Sequence, residues 1–266
     1  MKRFVAVVLI LLGIGIFVFQ QQSTKEEERM LELSTESIEW LEIEQVSGDL
    51  VVKGDPNATS IQAKAIIKSR AIMDESILFT LKKDGNTAKV YADSTADLGW
   101  LNNRSMTVTV TVPQNLPLSI KDGSGDIHIA ALNAPLTITD DSGDLIVQDV
   151  EGETQITDES GDIKLTNVKG IRSITDDSGE LLMQDTMGDV IIRDQSGGME
   201  VRSHAGSLQI KDDSGEIFVS NVEGNVSIVD ENGRIYVEDV NGDVMIENDD
   251  PENVSVVNVS GSYTRK

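Results

Sequence analysis

The sequence predicts an all-β protein whose main part is a parallel β-solenoid, also called a β-helix, preceded by an N-terminal membrane helix. Three observations support the solenoid. A Ser-Gly dipeptide recurs every 18 residues along residues 124–215 and returns as Asn232-Gly233. A second glycine column, along residues 152–242, has the same period of 18. Between the glycines, apolar residues at positions i and i+2 share one face of a strand, so equal coils stack them into columns.

Each 18-residue unit divides into two halves, and each half carries one short strand and one turn. The first apolar columns are Ile127/Ile129, Leu145/Val147, Ile163/Leu165, Leu181/Met183, Met199/Val201, Ile217/Val219 and Ile235/Val237. The second columns begin at Leu118/Ile120 and end at Val244/Ile246. Two strands per coil, joined by tight glycine corners, predict a flattened solenoid in which each strand pairs in parallel with its copy one coil away.

Composition agrees with such a core. Aromatic residues make up only 4% of the chain and cysteine is absent. The interior is therefore expected to be filled by small branched side chains, without disulfides or thiolate metal sites.

The chain divides into five predicted segments. They are an N-terminal signal-anchor or transmembrane helix at 1–22, a polar stalk at 23–36, an irregular β region at 37–117, the 18-residue-repeat solenoid at 118–250 and a C-terminal cap at 251–266. The glutamate-rich stalk is expected to be a short polar helix or spacer. The cap begins where the period slips by one residue at Pro251, and it is expected to cover an open sheet edge.

The N-terminus predicts a membrane location. Met1-Lys2-Arg3 precedes an uninterrupted apolar run from Phe4 to Phe19, which as a helix would span about 24 Å of a roughly 30 Å hydrocarbon layer. No small-residue cleavage site follows the run, so an uncleaved anchor is favoured over a removed signal peptide. The basic residues hold the N-terminus inside, which predicts a single-pass membrane protein with an extracytoplasmic C-terminal domain. Export after signal cleavage is the alternative.

The net charge of the chain limits the kinds of molecule that it is expected to bind. The formal net charge is -24, from 46 acidic and 22 basic residues. A surface of this sign repels nucleic acid and favours cationic partners. The expected partners are the membrane, through Phe4 to Phe19, and an envelope protein, a glycan or a cationic molecule.

The strongest candidate site is an acidic corner beside the Ser-Gly turn. One aspartate column runs from Asp122 to Asp230 with the 18-residue period, and further acidic residues flank it. Carboxylates stacked at the coil spacing repel one another, and calcium is the natural cation to relieve that repulsion. A structural alternative is that each aspartate accepts hydrogen bonds from its own backbone in an Asx-turn. The calcium candidates are Asp140, Asp141, Asp144, Asp158, Glu159, Asp162, Asp176, Asp177 and Glu180.

A second candidate is the outward column between the first apolar columns. Large apolar residues recur there on a face that should meet solvent. They form either a partner-binding strip or a surface against which the N-terminal strands pack. The partner-surface candidates are Ile146, Leu182, Phe218 and Tyr236.

Catalytic chemistry finds little support in the sequence. His128 and His204 are the only histidines, so no nucleophilic triad or histidine metal cluster can be assembled. The carboxylates repeat in every coil instead of standing alone in a cleft. We therefore expect a protein that is not an enzyme. A carbohydrate-active β-helix enzyme with paired carboxylates is the leading alternative.

Three stretches resemble a known family. Residues 106–113 (MTVTVTVP), residues 116–120 (LPLSI) and residues 123–129 (GSGDIHI) with their repeats are similar to the putative-adhesin family of bacterial β-strand-repeat proteins of unknown function. The resemblance covers the chain from about Ile38 and transfers no catalytic residue. It implies a cell-envelope solenoid that acts as a binding or scaffold surface in adhesion or envelope stress. A calcium-stabilised surface rod is a further alternative.

Overall fold

The computed structural model describes residues 25–69, 77–94, 104–248 and 251–266. The predicted helix at 1–22, with its apolar run from Phe4 to Phe19, lies outside the described residues. Within these ranges, no helix has the length and apolar character needed to cross a membrane.

The described chain is built from β-strands, with one short 3₁₀ helix at Pro251–Asn253. The strands are β1 (Lys25–Ser34), β2 (Trp40–Gln45), β3 (Asp49–Asp55), β4 (Ser60–Ser69), β5 (Leu78–Asp84), β6 (Thr87–Asp93), β7 (Arg104–Pro113), β8 (Leu118–Asp122), β9 (Ile127–Leu132), β10 (Leu136–Asp140), β11 (Leu145–Asp158), β12 (Ile163–Asp176), β13 (Leu181–Met187), β14 (Val190–Asp194), β15 (Met199–Ala205), β16 (Leu208–Val222), β17 (Val226–Val240), β18 (Val244–Asn248), β19 (Val254–Val259) and β20 (Tyr263–Arg265).

The strands wind into a parallel β-solenoid of about eight turns, which confirms the predicted all-β fold. Each strand pairs with its copy one coil away, as Ile163 does with Leu181. We call the side that carries the Ile127 to Ile235 columns the first face, and the side that carries the Leu118 to Val244 columns the second face. The apolar residues of both faces point inward and are buried, so one continuous core runs along the rod.

The solenoid begins earlier than the sequence analysis expected. Strand β2 pairs in parallel with β8, and β3 pairs in parallel with β9. Their inward residues Leu41 and Leu50 are fully buried. Much of the region predicted to be irregular therefore belongs to the coils, because its period-two alternation is preserved even where the 18-residue period is lost.

The predicted polar helix or stalk is wrong for residues 25–34, which form strand β1. This strand pairs antiparallel with β4 along its whole length. Its alternating residues Leu31 and Leu33 pack against the core. Burial of this apolar face outweighs the helix propensity of the glutamate run.

Antiparallel strands complete the N-terminal end of the rod. Strand β4 lies between β1 and β7, and β5 pairs with β6 through a hairpin. The C-terminal residues 251–266 continue the coil instead: β19 pairs in parallel with β17 at an offset of 19 residues. The extra residue is accommodated at the short 3₁₀ helix.

The corners require special backbone conformations. Gly161 of the Ser-Gly corner has a φ of +135°, and a Cβ atom there would lie 1.8 Å from the carbonyl oxygen of Gly143 in the preceding coil. A second corner uses left-handed residues other than glycine, which the sequence analysis did not identify. They have φ values near +51 to +61° and are Ala131, Asp149, Asn167, Asp185, Ser203, Asn221, Asp239 and Asn258. Asparagine and aspartate tolerate this conformation better than most residues.

Candidate functional site

The aspartates of the acidic corner lie inside the rod. Their side chains are only 0 to 3% exposed. We call this set the aspartate column: Asp122, Asp140, Asp158, Asp176, Asp194, Asp212 and Asp230. At each end of the aspartate column, a neutral amide takes the place of the next aspartate. Gln45 pairs with Asp122 at one end, and Asn248 pairs with Asp230 at the other. The sequence does indicate this burial, because Asp122 falls on the same face of its strand as the inward-pointing Leu118 and Ile120.

One oxygen of several column members stabilises the turn that follows. The backbone N–H two residues on donates to Oδ1 over 3.1 to 3.2 Å in Asp176, Asp194, Asp212 and Asp230. These are the Asx-turn hydrogen bonds of the structural alternative. The donors come from serine or asparagine, the residues of the repeating dipeptide.

The remaining oxygens of the column lack such donors. Neither carboxyl oxygen of Asp122, Asp140 or Asp158 accepts a hydrogen bond of regular geometry, although backbone N–H groups of the following turn lie close enough to favour the charged form. Oδ2 of Asp176, Asp194 and Asp212 also has no partner. At the C-terminal end, by contrast, Nδ2 of Asn248 donates to Oδ2 of Asp230 over 2.6 Å. The column therefore concentrates unpaired carboxyl oxygens in a buried setting.

Burial raises the pKa of these carboxyl groups, and neighbouring carboxylates add to the effect. The pKa rises to about 7 for Asp122, Asp158 and Asp212. It rises to about 6 for Asp140 and Asp176. Nearby backbone N–H groups offset part of the increase. Desolvation penalises the charged form, so the neutral carboxyl is favoured inside the rod.

The exposed carboxylates of the corner form a separate ladder. The backbone N–H of Asp144 donates to Asp126 over 3.2 Å, that of Asp162 donates to Asp144 over 3.3 Å, and that of Glu180 donates to Asp162 over 3.0 Å. Each carboxylate thus binds the backbone of the next coil. Asp141, Glu159 and Asp177 lie nearby and are also exposed. Together these seven residues are called the acidic edge.

The geometry gives the calcium hypothesis no support. Three of its candidates, Asp140, Asp158 and Asp176, belong to the buried column, whereas the other six lie on the acidic edge. In the part of the chain that the structure describes, no three His, Cys, Asp or Glu side chains are grouped to hold a metal ion.

The four partner-surface candidates share one outer column on the first face. The register Ile146, Lys164, Leu182, Glu200, Phe218 and Tyr236 follows from the parallel pairing of successive coils. We call Ile146, Leu182, Phe218 and Tyr236 the apolar strip. All four are half-buried. The N-terminal strands do not pack over the strip, because β3 and β7 extend the sheet edgewise.

The aromatic end of the strip is ordered by stacking. The rings of Phe218 and Tyr236 lie 5.2 Å apart and within 8° of parallel. The guanidinium of Arg202 lies 5.3 Å from the centre of the Phe218 ring. The hydroxyl of Tyr236 donates to Glu238 over 2.8 Å. These contacts hold the side chains in place and leave their outer edges towards solvent.

The apolar strip lies directly beside the acidic edge. Asp144 and Glu180 immediately precede strands β11 and β13, two residues before Ile146 and Leu182, so each carboxylate lies next to the outer side chain of its coil. In these two coils a carboxylate and an apolar side chain therefore lie side by side, with Lys164 at the outer position of the coil between them, and the aromatic pair extends the strip beyond the acidic edge.

His204 is a buried corner residue whose two ring nitrogens both have partners inside the rod. It replaces the valine found at this corner in other coils, and it is 1% exposed. Its Nε2 donates to the carbonyl oxygen of Gly188 over 2.8 Å, so Nδ1 accepts from the Thr186 hydroxyl over 2.9 Å. Burial lowers the pKa of His204, which keeps the ring neutral. No pattern in the sequence marks Thr186 as its partner.

This buried pair is testable by a double-mutant cycle. We expect His204→Val alone to lower the free energy of unfolding by about 1 to 3 kcal/mol, because it leaves the Thr186 hydroxyl without its buried partner. Thr186→Val combined with His204→Val restores the apolar corner of Val168 and Val222 and should cost much less. Urea unfolding of both single variants and the double variant measures the coupling. Strictly additive losses would contradict this account.

A groove of about 710 Å³ lies on the outer side of the N-terminal strands of the second face. Lys82, Lys89, Lys121 and Tyr91 contribute to its lining. Lys89 is bound by Glu42 at 3.4 Å and by Asp84 at 3.1 Å. Lys89 thus pairs with two of the carboxylates that line the groove, and no histidine is among the described residues that line it.

The fold and its exposed surfaces define a repetitive β-solenoid with an acidic, partly apolar outer face. Residues 61–263 match the family described as Toastrack DUF4097. The chain belongs to this family, which confirms the resemblance to the putative-adhesin proteins of unknown function. No curated protein matches the sequence.

Several solved structures are similar to the chain at low identity. A "putative cell adhesion protein" from Clostridium sporogenes is 9% identical, with a TM-score of 0.32 over 91% of this chain and 100% of that one. A "putative lipid binding protein" from Parabacteroides distasonis is 16% identical, with a TM-score of 0.40 over 91% and 96%. A "putative adhesin" from Parabacteroides merdae is 13% identical, with a TM-score of 0.33 over 90% and 96%.

Proposed function

We propose that this chain is a non-catalytic binding module of the cell envelope, tethered through Phe4 to Phe19, whose first face binds a cationic partner that carries apolar groups. The observation that supports this proposal is the placement of the acidic edge beside the apolar strip. A partner with alternating basic and apolar groups matches both rows at once. Adhesion and envelope-stress sensing are the roles for which such a surface is suited.

The two rows have different parts in the proposed binding. The carboxylates and the net charge of -24 attract a cationic partner over the screening length and speed its encounter. The apolar strip supplies contact area that loses water on binding, and aromatic residues such as Phe218 and Tyr236 are frequent hot spots. Because the ladder and the ring stack already order these side chains, little conformational entropy remains to be lost.

The binding surface can be tested with a defined probe. We expect a fluorescent peptide of alternating lysine and leucine to bind the full chain in nanodiscs, with an affinity that weakens as salt increases. Phe218→Ala combined with Tyr236→Ala should weaken binding by about tenfold or more, since two hot-spot truncations cost at least about 1.4 kcal/mol. Fluorescence anisotropy titrations give the dissociation constants.

Two further variants separate the contributions. Asp162→Asn keeps an oxygen that can accept the N–H of Glu180, so it removes charge while preserving the ladder. It should weaken binding and reduce its salt dependence. Ile191→Ala, at a residue that is 38% exposed on the second face, is the matched control and should bind like the parent. Equal losses on both faces would contradict a site on the first face.

A further inference from the structure

The aspartate column has a geometry that calls for a ligand. Three of its carboxyl groups, those of Asp122, Asp140 and Asp158, are at most 1% exposed and accept no hydrogen bond of regular geometry on either oxygen. A buried ionised carboxylate without donors is strongly unfavourable, and here such groups succeed one another at the coil spacing of about 4.8 Å. Something must supply donors or remove the charge.

The surroundings of the column do not supply compensating charge. The charged groups with the largest effects on it are acidic: Asp49, Asp126, Asp141, Asp162, Asp177 and Asp213, besides the column members themselves. Within the described ranges, no group of three candidate ligands is arranged for a metal ion. A proton is the remaining ligand that both neutralises a carboxylate and provides a donor.

The C-terminal end of the column shows how a neutral donor solves the problem. Asn248 has nearly the shape of a protonated aspartate, and its Nδ2 donates to Oδ2 of Asp230 over 2.6 Å. A protonated carboxyl group can make the corresponding contact with the carboxylate one coil away. Gln45 places a second neutral amide at the other end.

We propose that the aspartate column is an internal proton-binding site, in which protons shared between stacked carboxyl groups join neighbouring coils and their release loosens the rod. The proton comes from solvent water and returns to it, and no other group is consumed. The inference concerns the inside of the rod and does not depend on the proposed partner of the first face.

The consequence for stability has a defined sign. The column carboxyls are raised from an ordinary pKa of 3.8, with Asp158 reaching about 7, so between these values the folded chain binds more protons than the unfolded chain. Their contribution to stability is therefore present at low pH and lost as the pH rises through about 6 to 7. Ordinary salt-bridged carboxylates behave in the opposite way.

Unfolding of the full chain at several pH values tests the proposal. The Tm should fall by at least about 3 °C between about pH 5 and about pH 8, a shift equivalent to roughly 1 kcal/mol for a chain of this size. Asp158→Asn, which places a permanent amide in the column, should raise the Tm at about pH 8 and reduce its fall. Glu223→Gln removes an exposed carboxylate that is not among the acidic groups acting on the column, so it is the matched control and should leave the pH dependence unchanged.

A spectroscopic readout keeps the test independent of stability. Infrared difference spectra of the folded chain at about pH 6 should contain a protonated-carboxyl band that weakens in Asp158→Asn, or in Asp122→Asn should the first variant fail to fold. A Tm that stays level or rises with pH, without this band, would overturn the proposal. So would a Tm at about pH 8 that increases with millimolar calcium in the parent but not in Asp158→Asn, because the column would then bind a cation.

Discussion

Replacing Gly161 with alanine is expected to lower the free energy of unfolding by about 3 kcal/mol or more. Its φ of +135° lies in a region that residues with a Cβ atom rarely adopt. The added Cβ would also lie 1.8 Å from the carbonyl oxygen of Gly143. This oxygen belongs to the backbone of the adjacent coil and cannot move without separating the two coils. Strain and lost pairing therefore act together.

Urea unfolding followed by circular dichroism measures the loss. Gly85→Ala is the matched control, because Gly85 also has a positive φ, +60°, but no atom lies within 4 Å of the position of its Cβ. The control should cost only about 1 to 2 kcal/mol, the conformational penalty alone. Equal losses for both variants would show that coil-to-coil contact does not determine the need for glycine in the corner.

Truncation of the core in a central coil should have a comparable effect. Leu165 is fully buried and pairs with Val147 and Met183 of the neighbouring coils. We expect Leu165→Ala to lower the free energy of unfolding by about 2 to 5 kcal/mol, because it removes apolar contacts and leaves a cavity. The cavity is bounded by backbone ladders on both faces, which limits how far the coils can collapse into it.

Lys164→Ala provides the comparison for this variant. Lys164 is adjacent in the chain and exposed on the outer face of the same strand. Its replacement should change stability by no more than about 0.5 kcal/mol. Thermal and urea unfolding of the two variants measure the difference. A Leu165→Ala loss as small as that of Lys164→Ala would mean that the columns do not form a tightly packed core.

The repeat allowed the solenoid and its register to be predicted from particular residues. Ile163 and Leu181 were assigned to one column from their 18-residue separation, and they are paired neighbours in the structure. This succeeded because the alternation of a strand and the tight corner at Gly161 are local properties that repeat without change. The Asx-turn of Asp176, one of the two alternatives for the acidic corner, depends on the same local pattern.

Strand β1 and the coils formed by β2 and β3 were harder to predict. The glutamate run before Leu31 is typical of a polar helix, and only pairing with β4 makes it a strand. Such pairing joins residues far apart in the sequence, and without a repeat it has no local signal. The left-handed column that includes Asp149 was missed because no glycine marks it.

For the candidate sites, too, some features follow from the sequence and others only from the folded structure. The sequence by itself determined the period, the apolar columns, the parallel register and the set of acidic and apolar residues that repeat along the rod, since these depend on spacing alone. Alternation along the strand indicates that Asp158 points inward, but only the tertiary structure decided that it is 1% exposed, that Phe218 stacks on Tyr236, and that His204 is bound by Thr186. Burial, pKa and side-chain contact depend on which coils meet and how closely, and those distances are established only when the chain has folded.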